Sequence, residues 1–226
     1  MHTNSECSDF DRTQRLHAQA VRDSVTLVRR VTRDDLPRPT PCAQWAMSDL
    51  LAHMTAQHRG FAAAALGHGQ DAAHWTVRPL GDDAAAQYSE AAEQVIAAFA
   101  TVDTPDRAFA LPEFAVTHTF PAAQAVGFHL VDYVVHSWDV ARSLGLAYAP
   151  GPELLRAALP IARAVPDGAS RLAPDSHFRP GLIPAPDAST LTRILMSLGR
   201  SPDWQSPSPD AAAGLPPCAA VHDTTC

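Results

Sequence analysis

His129, Asp132 and His136 fall at i, i+3 and i+7 within Phe128-His129-Leu130-Val131-Asp132-Tyr133-Val134-Val135-His136. On an α-helix these positions share one face. The residues between them are mostly apolar, so that face looks at least partly inward. An unpaired polar group buried there costs about 2–7 kcal/mol. A divalent metal is a partner that removes the cost, and a further ligand must then come from another segment. Leu50-Leu51-Ala52-His53-Met54 offers one, a single His on a second amphipathic run. Spacing alone leaves His129 and Asp132 as alternatives for the third ligand. The competing reading is a buried Asp132–His136 hydrogen bond at i,i+4, with His53 an ordinary core or surface histidine. Two His and one carboxylate leave a coordination position open, the pattern of a catalytic rather than a closed structural zinc. Such a metal lowers the pKa of a bound water to about 7 or deprotonates a bound thiol. Imidazole–carboxylate sites accept several divalent ions, so zinc and nickel both fit.

The elements that must position these groups read as helices. Leu16, Ala20, Leu27, Val28 and Val31 recur at helical spacing and predict a first helix over 9–31, with Ser24 a polar interruption of its apolar face. A second helix follows a Pro-rich loop, with Ser48 its expected N-cap, and stops at Gly67. A third is expected over 82–99. Segments 109–111 and 114–116 could be extended, kept short by Pro105 and Pro112. Pro121 suits the first position of a fourth helix that runs to Leu144 and closes at Gly145. Pro152 opens a fifth, with Pro160 expected to kink or shorten it, and Ala188 to Leu198 forms a last short helix. Residues 205–226 are Pro, Ser, Ala and Asp without periodicity and read as a disordered tail. The expectation is an all-α antiparallel four-helix bundle with extra C-terminal helices and long loops, over residues 1–204, with the metal held in its interior.

Composition narrows the function. The chain of 226 residues has 17 Lys+Arg against 24 Asp+Glu, a formal net charge of -7, and no basic run. That argues against nucleic-acid binding. Its longest apolar run, Phe61 to Leu66, is too short to cross a bilayer. Met1 to Asp11 has neither the apolar core of a secretory signal nor the basic character of a transit peptide, so the cytoplasm is the expected compartment. Cysteines stand at 7, 42, 218 and 226 with no Cys-x-x-Cys pair, which disfavours a thiolate zinc site or a disulfide scaffold. The wealth of Ala, Arg, Asp and Pro, with no Lys, suggests a GC-rich bacterial genome.

Three blocks carry a family resemblance. Thr40-Pro41-Cys42-Ala43-Gln44-Trp45-Ala46-Met47-Ser48-Asp49-Leu50-Leu51-Ala52-His53 resembles the opening of the DinB/YfiT-like metalloproteins. The closest likeness is to the actinobacterial metal-binding proteins of the mycothiol-dependent maleylpyruvate isomerase N-terminal type. His136-Ser137-Trp138-Asp139-Val140-Ala141-Arg142-Ser143-Leu144-Gly145 is similar to a second block of that family, with Val140 in place of Leu. Leu195 to Trp204 is similar to its closing block, with Ser201 in place of an acid. The resemblance implies a DinB-type bundle and a divalent metal, usually zinc, on His53, Asp132 and His136. It favours Asp132 over His129 as third ligand, and it implies a low-molecular-weight thiol such as mycothiol as cosubstrate.

The resulting expectation is a zinc enzyme that transfers such a thiol to a small electrophile, or isomerises the electrophile with the thiol's help. A zinc-hydroxide hydrolase and a non-catalytic metal- or small-molecule-binding bundle are the alternatives. A monomer or homodimer is expected, with neither nucleic acid nor membrane as partner. His58, Arg59 and His129 are candidates to line the thiol or substrate pocket. Asp139 either orients a ligand histidine or caps local backbone. Trp138 reads as core, Trp45 and Met47 as a hydrophobic lead-in to the second helix, and Cys42 as a small hydrophobe or a reactive thiol. Phe178 is either a lid or part of an anchored loop.

Overall fold

Among the described residues, six α-helices, three short 3-10 turns and one two-residue ladder make up the fold. The computed structural model describes residues 4–42, 45–81, 83–173 and 178–206. Most of the expected tail, 207–226, lies outside the described residues, as do Cys218 and Cys226. The helices are α1 (Asn4–Val28), α2 (Met47–Ala65), α3 (Ala84–Ala100), α4 (Ala122–Ser143), α5 (Pro152–Ala164) and α6 (Thr190–Ser197). β1 (Ala108–Phe109) pairs antiparallel with β2 (Phe120–Pro121), Phe109 opposite Phe120.

The first four helices form the bundle. Of the predicted stripe, Leu16, Ala20 and Val28 of α1 are buried together with Val21, whereas Leu27 and Val31 are only partly buried. Ser24 is no defect in it, because its hydroxyl shares a 2.7 Å hydrogen bond with the buried Tyr88 hydroxyl of α3. Gln14 of α1 reaches the Phe99 carbonyl while Ser24 reaches Tyr88, so α1 and α3 run antiparallel. His53 meets His136 and Phe61 meets His129, so α2 and α4 are antiparallel too. α2 and α3 run parallel, with His58 against Tyr88 and Phe61 against Phe99. The long 66–83 segment therefore crosses the length of the bundle. Trp75 anchors that crossing by lying on Gly60, where an added Cβ would come within 2.3 Å of the indole.

Several local expectations shift. Ser48 is not the N-cap of α2; Ala46 is, and its N–H donates to the Asp49 carboxylate at 3.0 Å. The Asp49 side chain, at the third helical position, reaches back to the N-cap N–H as in half of a capping box, and it sits at the positive end of the helix dipole. α1 ends three residues early, because Thr32 begins a 3-10 turn closed by the Asp35 carboxylate, which accepts from the Thr32 N–H and hydroxyl. Of the expected extended segments only Phe109 is in a strand. The Phe114 N–H bonds back to the Leu111 carbonyl in a turn, and β1 takes Phe120–Pro121 as its partner instead. Pro121 thus ends β2 and is the N-cap of α4 rather than its first helical residue. Gly145, at φ 68°, closes α4 as predicted, since only glycine enters that region without strain. α5 continues past Pro160.

Candidate metal centre

His53 in the second turn of α2 faces Asp132 and His136 on α4, and ligand atoms of all three lie within 4.8 Å of one another. Trp45, in the approach to α2, stacks a tilted ring on His53 at 4.7 Å. The His136 side chain is 4% exposed and that of Asp132 23%, so the cluster opens on the Asp132 side.

The orientation of His136 is decided by its far nitrogen. Its Nδ1 lies 3.0 Å from Asp139 Oδ2, one turn along α4, and its Nε2 lies 3.3 Å from Asp132 Oδ1. Asp139 is held in turn by Arg200, which follows α6: Nη2 donates to Oδ2 at 3.1 Å and Nε to Oδ1 at 3.5 Å. Asp139 is fully buried and Arg200 is 4% exposed. Fixing Nδ1–H on Asp139 presents Nε2 toward His53 and Asp132, the arrangement that orients and strengthens a ligand histidine.

Cys42, His136 and Asp139 also bring ligand atoms within 4.8 Å. Chemistry separates the two groups. Cys42 and Asp139 lie on the Nδ1 side, and the Asp139 carboxylate is already shared by the imidazole and Arg200. The Cys42 thiol accepts from Arg200 Nη2 at 3.0 Å, and burial, only partly opposed by Arg200, pushes its pKa up to about 12. A thiol held protonated is a poor metal ligand. The donor set on the Nε2 side, two imidazoles and one carboxylate, fits a divalent ion with a position left open.

Charge at the site matches this division. Burial alone would lower the His136 pKa, but the carboxylates of Asp132 and Asp139 raise it to about 9. Burial would raise that of Asp132, yet His136, His53 and Arg200 bring it to about 2. The metal-free cluster is therefore an ion pair whose Nε2 proton occupies the place a cation would take.

The three sequence blocks converge here. Cys42 comes from the first, His136 and Asp139 from the second, Arg200 from the third. Arg142 ties the last two together by donating to the carbonyls of Trp204 and Pro202. Phe178 lies 5.9 Å from both the Arg171 and Arg200 guanidinium carbons, and Arg171 donates to the carbonyls of Val165, Pro166, Arg179 and Ser197. Phe178 and Arg179 are accordingly held against the arginines, and residues 174–177 before them lie outside the described residues. Arg200 was not among the expected site residues, although it lies within the closing block that resembles the family.

The other candidates lie elsewhere. His58 is fully buried between the rings of Tyr88 and Tyr133. His129 is fully buried too, with its Nδ1 2.8 Å from Nε2 of the buried His17 on α1. Burial drives all three pKa values down, His17 to about 3, so these imidazoles are neutral. Among the described residues, His17 Nδ1, both nitrogens of His58 and His129 Nε2 find no hydrogen-bond partner. Tyr133 between them donates to the Met54 carbonyl. Arg59 points away from this layer and lines a separate cavity.

Known proteins bear on this geometry. The sequence model of the mycothiol maleylpyruvate isomerase N-terminal domain matches residues 17–141, more than half of the chain. The chain belongs to that family. The match takes in His53, Asp132, His136 and Asp139, and it leaves Arg200 outside. Two relatives in Mycobacterium tuberculosis are the uncharacterized protein MT0763 of strain CDC 1551 and the uncharacterized protein Rv0738 of strain H37Rv. Each is 29% identical over 154 residues, 66% of this chain and 76% of the relative. A crystal structure of the mycothiol-dependent maleylpyruvate isomerase is similar in fold, with a TM-score of 0.50 and 16% identity over 73% of this chain and 71% of that one. This family member is thus an all-α, DinB-like bundle, and none of its described helices is long and apolar enough to cross a membrane.

Proposed function

We propose that the protein is a divalent-metal enzyme, with zinc on His53, Asp132 and His136. It would use a low-molecular-weight thiol, mycothiol by family, on a small electrophilic substrate. The observation that carries this reading is the Arg200–Asp139–His136 relay, which spends a buried ion pair on orienting one imidazole toward the other two ligands. A buried charge network is costly to assemble, and orienting a metal ligand is a use that accounts for it. When bound, a three-ligand zinc supplies an open Lewis-acid position that favours the thiolate form of a thiol. Asp139 keeps the Nδ1 proton in place, Arg200 keeps Asp139 ionised, and Trp45 limits how far His53 can turn. The thiol gives its proton to solvent, and its sulfur adds to an electrophilic carbon of a double bond, whose π pair moves to the adjacent atom and is protonated there. If that bond persists the outcome is S-transfer; if it breaks again after rearrangement the outcome is isomerisation. No Ser–His–Asp nucleophile is required for either.

Elemental analysis of the purified protein beside a His53→Ala/His136→Ala variant tests the reading. About one zinc per chain, absent from the variant, is expected. Thiol-dependent turnover of electrophiles then separates thiol chemistry from hydrolysis. A wild-type protein that neither carries nor takes up metal would end the enzyme reading.

A further inference from the structure

The parallel pair α2–α3 opens at its C-terminal end into a cavity of about 800 Å³ lined by none of His53, Asp132 and His136. Its floor is apolar, from Leu66 and neighbouring alanines of both helices, and the crossing segment supplies its outer wall. Four basic side chains line it, Arg59, His68, His74 and Arg78, and among the described residues no carboxylate does. In a chain of net charge -7 this is a local reversal of sign. Among the described residues neither Arg59 nor Arg78 has an ion pair or side-chain hydrogen bond. Asp71 caps the Ala73 N–H and stands 4.0 Å from His74, and Glu90 accepts from Gln94.

The wall is fixed. Trp75 seats its ring on Gly60, packs edge-on against Phe61 at 5.4 Å, and donates from Nε1 to the Gly69 carbonyl at 2.8 Å. A cavity held open by such packing is preformed, and its size suits small-molecule sites, about 300–1,000 Å³. Unpaired guanidinium groups bind carboxylate and phosphate oxygens in pairs, while an apolar floor takes hydrocarbon.

We propose that this cavity is a second binding site, separate from the metal centre, for a small organic anion: a carboxylate or phosphate head on a short apolar body. Titration calorimetry of the metal-loaded full chain with octanoate and with octyl phosphate tests it, with octylammonium as the opposite-charge control. Saturable binding of at least one anion is expected, weakened about tenfold or more in Arg59→Gln/Arg78→Gln and retained in His53→Ala. Because neither arginine has a partner among the described residues, the double variant should keep the wild-type circular dichroism and metal content. Three results would overturn the proposal: no saturable binding of either anion, equal binding by the double variant, or equal binding of octylammonium. Loss of binding in His53→Ala but not in the double variant would also overturn it, by moving the ligand to the metal centre.

Discussion

Acid should unfold this protein earlier than its carboxylates alone would allow. His17, His58 and His129 are buried neutral, with pKa values below the ordinary 6.5. Each takes up a proton on unfolding once the pH is under that value, so stability falls as pH falls. Each group contributes about 1.4 kcal/mol per pH unit. Three together give about 4 kcal/mol per unit, or about 6 kcal/mol between pH 6.5 and 5, against a typical total stability of about 5–15 kcal/mol. Asp132, lowered to about 2 from 3.8, acts in a separate window: its contribution is present above pH 3.8 and is lost on the way to 2. His136 has the opposite sign. Raised to about 9, it stabilises the metal-free fold below pH 6.5, and that contribution drains away as the pH climbs toward 9. Metal-free protein should therefore be most stable at about pH 7, where the two opposing slopes balance. Urea unfolding followed by tryptophan fluorescence, in chelator, at half-unit steps from pH 5 to 9 reads both limbs. His58→Phe, which keeps a ring between Tyr88 and Tyr133, should cut the acid slope by about a third. A change of less than about 1 kcal/mol between pH 6.5 and 5, or an unaltered slope in His58→Phe, would refute the reasoning.

Three further outcomes follow from the metal centre and its supports. Asp139→Asn preserves shape but removes the charge behind His136 and Arg200, and should weaken zinc binding about 10–100-fold in a competition titration. Zinc must displace the Nε2 proton of His136, so its apparent affinity should rise up to about tenfold per pH unit from pH 6.5 and level off near 9. Asp132→Ala should lose most of the metal while His129→Ala keeps it, and equal loss in both would return the third ligand to open question.

Helix number and order were legible because each amphipathic stripe repeats over several turns, and Gly145 or Pro152 punctuates where the stripe stops. Helix starts were less legible: Ser48 looks like a cap, yet Asp49, one residue on, bonds the free N–H of Ala46. The pairing of β1 was hidden because two residues of ladder leave no alternation to read. At the site, spacing could set Asp132 and His136 on one face but could not say which imidazole nitrogen looks where. That is fixed by Arg200, 61 residues after Asp139. His129 seemed available to a pocket because helical periodicity places it on the ligand face. The difference lies in what α1 lays over it, His17, which no local pattern reveals.

The reach of Arg200 back to Asp139 also sets an order of events during synthesis. His53, Asp132 and His136 are all made before Arg200, and at about 5–20 residues per second the gap of 61 residues lasts about 3–12 s. Through that interval Asp139 lacks Arg200, and its hold on the His136 ring is unsupported. On the proposed function, the metal centre would be finished only when the segment after α6 docks, so the nascent chain would offer scattered ligands rather than a shaped site. The ion is then chosen by the folded protein from whatever surrounds it. The docked segment works as a test of completeness: a chain cleaved ahead of Leu195 would keep every ligand and still bind its metal poorly.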